Sequence, residues 1–204
     1  MASGQITLES DFGKALKQLA ELPSNKVFLD IGTWNGQGTT LCLVAGLHKR
    51  SDLDKVRLVS VEANDKFYKI AKEFYKNAPP WITLIKGRIA ETMMTASEIE
   101  SHPNFKDVKT HYDLWYKQDK EDFSKAPLCK MTGKIDVVVL DGGEFCGEYD
   151  LKAVLPLVPT FICLDDINFM KNNTNFRLLI TNPQYKIIGK STAKNGWAIF
   201  QRVF

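Results

Sequence analysis

The amino-acid sequence predicts an α/β protein with a Rossmann-like, doubly wound sheet of seven strands, mostly parallel with a C-terminal antiparallel hairpin. Short β-branched runs alternate with stretches of helical spacing, which favours parallel strands joined by right-handed helical crossovers. The run from Val137 to Leu140 is apolar throughout, as is typical of a central strand buried on both faces. Near the end of the chain, Asn195-Gly196 closes a short connection between two further runs, which is a hairpin signal.

Each predicted element has a local signal. The first is a helix with Leu16, Leu19, Ala20 and Leu22 on one face and Ser10 as its N-cap. Apolar, β-branched runs predict strands at 26–31, 57–62, 82–86, 135–140, 160–164, 185–191 and 197–203. Helical spacing predicts the intervening helices at 39–48, 65–77, 90–100 and 147–154. The last two strands form the antiparallel pair at the end of the sheet.

The length of 204 residues predicts a single domain spanning 1–204. Within it, the segment 92–131 is long, charged and aromatic, and it lies between two predicted strands. A loop of this length is typical of a lid or binding loop. We therefore expect an insertion that caps the site where a substrate would be bound, here called the acceptor site. Tyr112, Trp115 and Tyr116 would then line or cover that site. An extra helix packed on the sheet edge is the equally supported alternative.

The composition excludes several classes of protein. With 44% hydrophobic and 25% charged residues, the chain is an ordinary globular one. Lys and Arg exceed Asp and Glu by only 27 to 24, which argues against a nucleic-acid partner. The apolar runs are strand-sized and none follows the N-terminus, so we expect neither a membrane span nor a secretory signal. The scattered Cys42, Cys129, Cys146 and Cys163 favour a reducing, cytoplasmic location and argue against zinc.

The strongest local signal begins where a strand ends in Asp30, continues through a turn with three glycines and leads into a helix at Thr39. Glycines allow the backbone to approach a ligand, and ligands of open α/β sheets bind beyond the carboxyl ends of the strands. The G-x-x-x-G-x-G spacing differs from dinucleotide and nucleoside triphosphate motifs, which disfavours a nicotinamide oxidoreductase. A glycine turn that only closes the βα unit is the alternative.

Glu62 ends the second predicted strand, where an acid can accept hydrogen bonds from the two hydroxyls of a ribose. An acid at this point can also favour the N-terminus of the next helix, but Asp65 already fits that position. We therefore interpret Glu62 as a ligand residue.

Together, the acid-x-Gly motif at Asp30, the glycines that follow it, Glu62 and the reversed terminal hairpin resemble the class I S-adenosylmethionine-dependent methyltransferases over nearly the whole chain. The resemblance implies Asp30 near the methionine end of the cofactor, the 32–38 backbone around it and Glu62 on the ribose. It also implies that the turn after the third strand faces the adenine, where Arg88 takes the position of an acid found in many members. The implied cofactor-binding residues are Asp30, Gly32, Thr33, Trp34, Gly36, Gly38, Thr39, Glu62, Ala63, Gly87, Arg88, Ile89 and Asp141.

Three further acids follow neighbouring strands. Asp141 ends the fourth predicted strand, and Asp165 and Asp166 end the fifth, so we expect their carboxylates to meet above the cofactor. Converging carboxylates repel one another unless they are protonated, meet a basic partner or bind a divalent cation. Oxygen ligands alone select a hard ion, Mg²⁺ or Mn²⁺. Alternatively, Asp165 or Asp166 caps the following helix and Asp141 orients the cofactor.

This acid pattern resembles metal-dependent O-methyltransferases, including enzymes that act on macrolide sugars and the related cephalosporin-hydroxylase group. The resemblance implies Asp141, Asp165 and Asp166 as metal ligands. Glu144 stands where the sugar enzymes have a histidine base, so Glu144 is the predicted base and Asp141 the second catalytic residue. The stretches that begin at Lys171 and Lys194 resemble bacterial and viral glycan methyltransferases, among them a domain of multidomain chlorovirus capsid-glycan enzymes. That resemblance implies fusion to, or association with, glycosyltransferase domains.

The resemblances together imply an S-adenosylmethionine-dependent O-methyltransferase that acts on a hydroxyl of a sugar or glycan terminus, with a divalent cation assisting. Two alternatives stay open. One is a small-molecule, catechol-type O-methyltransferase, and the other is a non-catalytic cofactor-binding module of a larger enzyme.

Overall fold

A computed structural model describes residues 6–203, so the two ends of the predicted domain 1–204 lie outside the described residues. The helices are Asp11–Glu21 (α1), Thr39–Leu47 (α2), Asp65–Phe74 (α3), Ala96–Ser101 (α4), Phe105–Val108 (α5), Tyr112–Lys125 (α6), Gly147–Val154 (α7) and Met170–Thr181 (α8). The strands are Val27–Ile31 (β1), Arg57–Glu62 (β2), Ile82–Lys86 (β3), Val137–Leu140 (β4), Phe161–Asp165 (β5), Tyr185–Ser191 (β6) and Trp197–Arg202 (β7).

The seven strands form one sheet in the order β3-β2-β1-β4-β5-β7-β6, which confirms the predicted fold class. β1 pairs in parallel with both β2 and β4, and the parallel pairing continues outward to β3 and β5. β7 runs antiparallel to both of its neighbours, β5 and β6, as the hairpin signal predicts. The chain order reverses between β1 and β4, and open α/β sheets bind ligands at the carboxyl ends of the strands beside such a point.

Helices cover both faces of the sheet, which is why β4 is buried along its whole length. On one face α1 and α2 pack together over the sheet, and Gly46 permits this contact because a Cβ there would lie 2.3 Å from the carbonyl oxygen of Lys17. α1 begins at the predicted N-cap, since Ser10 Oγ accepts a hydrogen bond from the N–H of Gly13. On the other face, α7 and α8 contribute Leu151 and Leu179 to the second core.

The segment 92–131 is largely helical, with α4, α5 and α6, and its role as a cap on the acceptor site stays a prediction. The predicted helix 90–100 begins only at Ala96, because Thr95 and Glu98 form a reciprocal capping box there. α8 lies where the sequence predicted a helix after the fifth strand without giving its bounds, since its polar beginning hides the apolar period. Among the helices of the described residues, none combines the length and the apolar character that a membrane crossing needs.

Candidate active site

A cavity of about 470 Å³ opens at the carboxyl ends of β1, β2, β4 and β5, beside the reversal of strand order. It is lined by most of the predicted site residues: Gly32, Thr33, Trp34, Gly38, Thr39, Glu62, Ala63, Gly87, Arg88, Ile89, Asp141, Asp165 and Asp166. Asp30, Gly36 and Glu144 are not among its lining residues. The two predicted sets, for the cofactor and for the acid cluster, therefore lie in one cavity.

Asp30 does not line the cavity, but its carboxylate connects elements that do. Its buried carboxylate accepts hydrogen bonds from Thr39 Oγ1 (2.9 Å), Thr40 Oγ1 (2.6 Å) and Ser60 Oγ (3.0 Å). Burial raises the pKa of Asp30 to about 6, although these hydroxyls act in the opposite direction. The carboxylate thus joins the start of α2 to β1 and β2 from below.

Two glycines shape the turn after β1 for different reasons. Gly32 has φ +100°, and a Cβ there would lie 2.1 Å from the carbonyl oxygen of Asp141, so only glycine lets the ends of β1 and β4 meet. Gly36 has φ +83° and faces Tyr75, whose ring would lie 2.8 Å from an added Cβ. The Tyr75 hydroxyl also donates to the Gly36 carbonyl oxygen (2.9 Å). Gly36 therefore holds the shape of the turn at a point away from the cavity.

Glu62 lines the cavity at the end of β2 and organises the loops beside it. Its Oε2 accepts the backbone N–H of Trp34 (2.6 Å), and its Oε1 accepts that of Asn64 (2.8 Å). Burial raises the pKa of Glu62 to about 7 against these two hydrogen bonds. Each carboxylate oxygen has a second lone pair, so Glu62 can still accept hydrogen bonds from a ligand.

α6 forms one wall of this cavity. The residues that line it from α6 are Gln118, Asp119, Asp122 and Phe123. Asp122 Oδ2 accepts from Asn64 Nδ2 (2.8 Å), beside Glu62, and Asp119 Oδ2 accepts the backbone N–H of Phe145 (3.2 Å). These contacts fasten α6 to the loops after β2 and β4, so the inserted helix covers the end of the cavity predicted for the ribose and adenine.

The Arg88 side chain packs against α6 and the loops beside it, at the same end of the cavity. Its guanidinium lies 4.2 Å from the centre of the Phe123 ring and donates to the carbonyl oxygens of Ala126 (3.2 Å) and Ala90. An acid lies nearby on α7: Asp150 lines the cavity, and its Oδ1 accepts the N–H of Ala90 (3.1 Å). Burial raises the pKa of Asp150 to about 7.

The aromatic residues of α6 face elsewhere. Tyr112 and Tyr116 pack against Phe145, with ring centroids 6.2 Å and 5.6 Å away, and Trp115 stacks on His111 at 5.0 Å. None of these three α6 rings lines the cavity. Tyr112 and Tyr116 thus pack α6 against the loop after β4, and that the three aromatic residues line or cover the acceptor site stays a prediction.

The three predicted acids meet at the ends of β4 and β5, where one oxygen of each carboxylate lies within 4.8 Å of an oxygen of the other two. Lys171, in the first turn of α8, lies among them. Its Nζ is 2.8 Å from Asp141 Oδ1 and 2.5 Å from Asp166 Oδ2. Burial and the nearby Asp141 raise the pKa of Asp165 to about 8. The acid cluster, here defined as Asp141, Asp165 and Asp166, therefore has a basic partner.

The alternative that Asp165 or Asp166 caps the next helix is wrong. α8 begins after Phe169, so neither acid is its N-cap residue. Glu144 lies beside the same helix, where its Oε1 accepts the backbone N–H of Lys171 (3.2 Å). Burial raises the pKa of Glu144 to about 7, but its carboxylate faces the first turn of α8. Asp141, the second predicted catalytic residue, is the one that lines the cavity.

A divalent cation held by all three carboxylates would share their space with the Lys171 ammonium. Asp141 and Lys171 expose only 20% and 10% of their side chains, so water would screen the repulsion between the two cations poorly. The acid cluster as placed accommodates one cation, and Lys171 already provides it.

A second cavity, of about 270 Å³, adjoins the first at Asp165, Asp166 and Asn195. The N-terminal segment and the β6–β7 hairpin line it with polar and aromatic side chains, including Ser10, Asp11, Phe12, Ser191, Lys194 and Trp197. We call this second cavity the polar groove. The polar groove reaches the acid cluster through Asp165 and Asp166.

Several cavity residues were not predicted as site residues, among them the charged Asp119, Asp150 and Lys171. Asp119 and Asp150 lie on amphipathic helices, where an acid has no local signal that distinguishes it from a solvated one. Lys171 had an indirect signal, because three converging acids require a counter-charge and a lysine follows them within six residues of Asp165.

No protein-family model matches the sequence, and no curated protein matches it either. Solved structures do match in fold. A methyltransferase from Podospora anserina bound to SAH has 12% identity and a TM-score of 0.61, covering 94% of this chain and 78% of that one. A putative caffeoyl-CoA O-methyltransferase from Staphylococcus aureus has 14% identity and a TM-score of 0.62, covering 98% and 86%. An O-methyltransferase from Bacillus cereus in complex with SAH has 16% identity and a TM-score of 0.58, covering 94% and 80%. The chain therefore has the Rossmann-like fold of these methyltransferases.

Proposed function

We propose that the protein is an S-adenosylmethionine-dependent O-methyltransferase that acts on a hydroxyl of a sugar or glycan terminus. The observation that carries the proposal is the cavity at the strand reversal, which has Glu62 beside the glycine turn at one end and the acid cluster at the other. This arrangement combines acceptors for a ribose with charged groups at the place where an acceptor would meet the cofactor.

The cofactor would lie along the cavity with its ribose hydroxyls donating to Glu62. The backbone of the turn after β1, from Gly32 to Trp34, would hold the amino-acid portion, because these residues line the cavity beside Glu62. Beyond the ribose, on the side of α6, Asp150 and Phe123 would meet the adenine. A carboxylate can accept the adenine amino group, and a ring can stack on the base. Asp150 would thus serve where Arg88 replaces the acid of the resemblance.

When bound, the cofactor supplies a methyl group on a sulfonium sulfur, which an alcohol oxygen attacks in line. The protein must then position the hydroxyl and accept its proton. Asp141 is better placed for the proton than Glu144, because Asp141 lines the cavity whereas Glu144 accepts an N–H of α8. Glu144 would act indirectly, by accepting the backbone N–H of Lys171 and so holding the first turn of α8.

The polar groove supports a sugar as the acceptor. Hydroxyl, amide and carboxylate groups line it beside the half-buried Trp197, which stacks on the buried Phe12 with a centroid distance of 5.4 Å. Polyols need many hydrogen-bond partners, and aromatic rings pack against the apolar face of a sugar ring. A flat catechol would require few of these polar groups. A place beside glycosyltransferase domains, either fused or associated, would suit the same acceptor class.

Mg²⁺ or Mn²⁺ at the acid cluster is the second candidate in the proposal, and it requires the Lys171 side chain to leave. The test is a methyl-transfer assay against panels of glycans and catechols, with and without EDTA, combined with calorimetry of S-adenosylhomocysteine binding. Transfer to a sugar hydroxyl supports the proposal. Transfer to catechols alone overturns the acceptor class, and cofactor binding without transfer to any acceptor identifies a non-catalytic module. Absence of cofactor binding would falsify the proposal as a whole.

A further inference from the structure

Lys171 is placed by the fold and does not reach the acid cluster from a flexible surface position. Gly147, at the start of α7, lets the backbone of Lys171 approach so closely that a Cβ on Gly147 would lie 1.9 Å from the Lys171 carbonyl oxygen. The next residue, Asn172, donates from Nδ2 to the carbonyl oxygens of Leu140 (2.9 Å) and Asp165 (2.7 Å). The first turn of α8 is therefore tied to the ends of the strands that carry the acids.

The side chain of Lys171 points from this anchored turn into the acid cluster. Its Nζ makes ion pairs with Asp141 (2.8 Å) and Asp166 (2.5 Å), and the residue is 9% exposed and lines the cavity. An ammonium has three N–H donors, and two ion pairs leave one for a further acceptor. Burial lowers the pKa of Lys171, but Asp141, Asp166, Asp165 and Glu144 outweigh it and raise that pKa well above its ordinary value.

Positive charge at this point serves the purpose that a divalent ion would serve. It relieves the repulsion among three converging carboxylates and places a cation beside the cavity. An ion bound at the same oxygens would lose the charge of the two carboxylates that already pair with Lys171. Affinity at oxygen-ligand sites depends on the number of charged ligands, so this loss would be large.

We propose that the Lys171 ammonium is the resident cation of the acid cluster, so that this protein needs no divalent ion at the position where the sequence predicted one. Lys171 acts as a positioning residue: it fixes the carboxylates of Asp141 and Asp166 at the wall of the cavity. The consequence for catalysis rests on the proposed function, whereas the consequence for cation binding does not.

The test compares Mn²⁺ binding to the wild-type protein and to Lys171→Met, followed by electron paramagnetic resonance of free Mn²⁺ and by calorimetry. The wild-type protein is expected to bind no Mn²⁺ at the acid cluster. Lys171→Met removes the ammonium but keeps an unbranched side chain, and it is expected to bind one Mn²⁺ at least about tenfold more tightly, because three carboxylates become free. Lys186→Met, at an exposed lysine of β6, is the matched control and should behave as the wild type.

Stoichiometric Mn²⁺ binding to the wild type that is lost in Asp166→Asn would overturn the proposal. Mn²⁺ binding to the wild-type protein tests the proposal even if Lys171→Met folds poorly. The melting temperature of Lys171→Met with and without Mn²⁺ shows whether the ion restores the stability of that variant. In the transfer assay, EDTA should leave wild-type turnover unchanged and abolish any turnover that Mn²⁺ restores to Lys171→Met. S-adenosylhomocysteine affinity, measured in parallel, separates failure of this inference from failure of the proposed function.

Discussion

Glu62 combines a structural and a proposed ligand role in one side chain, and its two backbone hydrogen bonds, to Trp34 and Asn64, make the choice of variant important. Truncation would release both loops, whereas Glu62→Gln keeps the shape of the side chain and one of its two acceptor oxygens but sets an NH2 donor against the other backbone N–H. The same caution applies to every buried acid of the cavity.

We expect Glu62→Gln to weaken S-adenosylhomocysteine binding by about 1.5–3 kcal/mol, the range for hydrogen bonds to a charged group. The amide retains one carbonyl acceptor but loses the negative charge that ribose hydroxyls would meet. Calorimetry on the folded variant measures the effect, and Glu100→Gln, at an exposed acid of α4, is the control. Equal affinities for the wild type and Glu62→Gln would remove Glu62 from the site.

Gly36 was predicted as a cofactor contact, and the structure suggests a different test. We expect Gly36→Ala to reduce the free energy of unfolding by at least about 1–2 kcal/mol, the cost of a left-handed conformation for a residue with a side chain. The added Cβ would also press on the Tyr75 ring at 2.8 Å. Urea denaturation measures this loss. A variant of unchanged stability that no longer binds S-adenosylhomocysteine would instead support a direct contact between Gly36 and the cofactor.

At the scale of the element, α6 has two faces with different neighbours. One face carries Phe123, against the Arg88 guanidinium and the cavity, while Trp115 is 38% exposed and stacks on His111. Because its contacts reach the loops after β2 and β4, we infer that α6 covers the cofactor rather than the acceptor. The domain's insertion would then be a cofactor cover, and the polar groove would remain open for the acceptor.

We expect Phe123→Ala to weaken S-adenosylhomocysteine binding by about 1 kcal/mol or more, as loss of an aromatic contact does. Trp115→Ala, a large-to-small change on the same helix, should leave both cofactor affinity and acceptor KM unchanged. Calorimetry and steady-state kinetics measure the two quantities. A raised acceptor KM in Trp115→Ala would contradict this expectation and support the predicted role of the aromatic residues at the acceptor site.

At the scale of the whole molecule, the buried acids determine how stability depends on pH. Burial raises the pKa of Asp30 and Asp119 to about 6, of Glu62, Glu144 and Asp150 to about 7, and of Asp165 to about 8. An acid whose pKa is higher in the folded than in the unfolded protein holds its proton more tightly when folded. Its contribution to stability is therefore present at low pH and is lost as the pH rises through the folded pKa.

We thus expect the melting temperature of the ligand-free protein to fall between about pH 5 and pH 8. The surface acid Asp65 acts in the opposite sense only at lower pH, because hydrogen bonds from Lys69 and Lys86 depress its pKa. Asp150→Asn keeps an acceptor for the Ala90 N–H and removes one titrating group, so it should flatten the slope by up to about 1.4 kcal/mol per pH unit. Calorimetric melting at constant ionic strength tests both; a rise in stability over this pH range would contradict the expectation.

The sequence by itself determined the sheet, the glycine turn and the meeting of the acids. Local periodicity of apolar residues predicts the strands and helices, and Asn195-Gly196 predicts the hairpin. Asp141, Asp165 and Asp166 could be grouped in advance because parallel strands that are neighbours end at the same edge of the sheet. Glu62 could be placed at the same edge for the same reason, because β2 is the parallel neighbour of β1.

Only the tertiary structure decided which way side chains on helices and loops face, because that depends on packing between elements remote in sequence. Lys171 enters the acid cluster because Gly147 and Asn172 fix the first turn of α8 against two strand ends. The same contact turns Glu144 toward α8 instead of the cavity. From the sequence, electrostatics alone requires a positive charge near the acid cluster. Whether the Lys171 ammonium or a divalent ion provides that charge depends on where α8 begins.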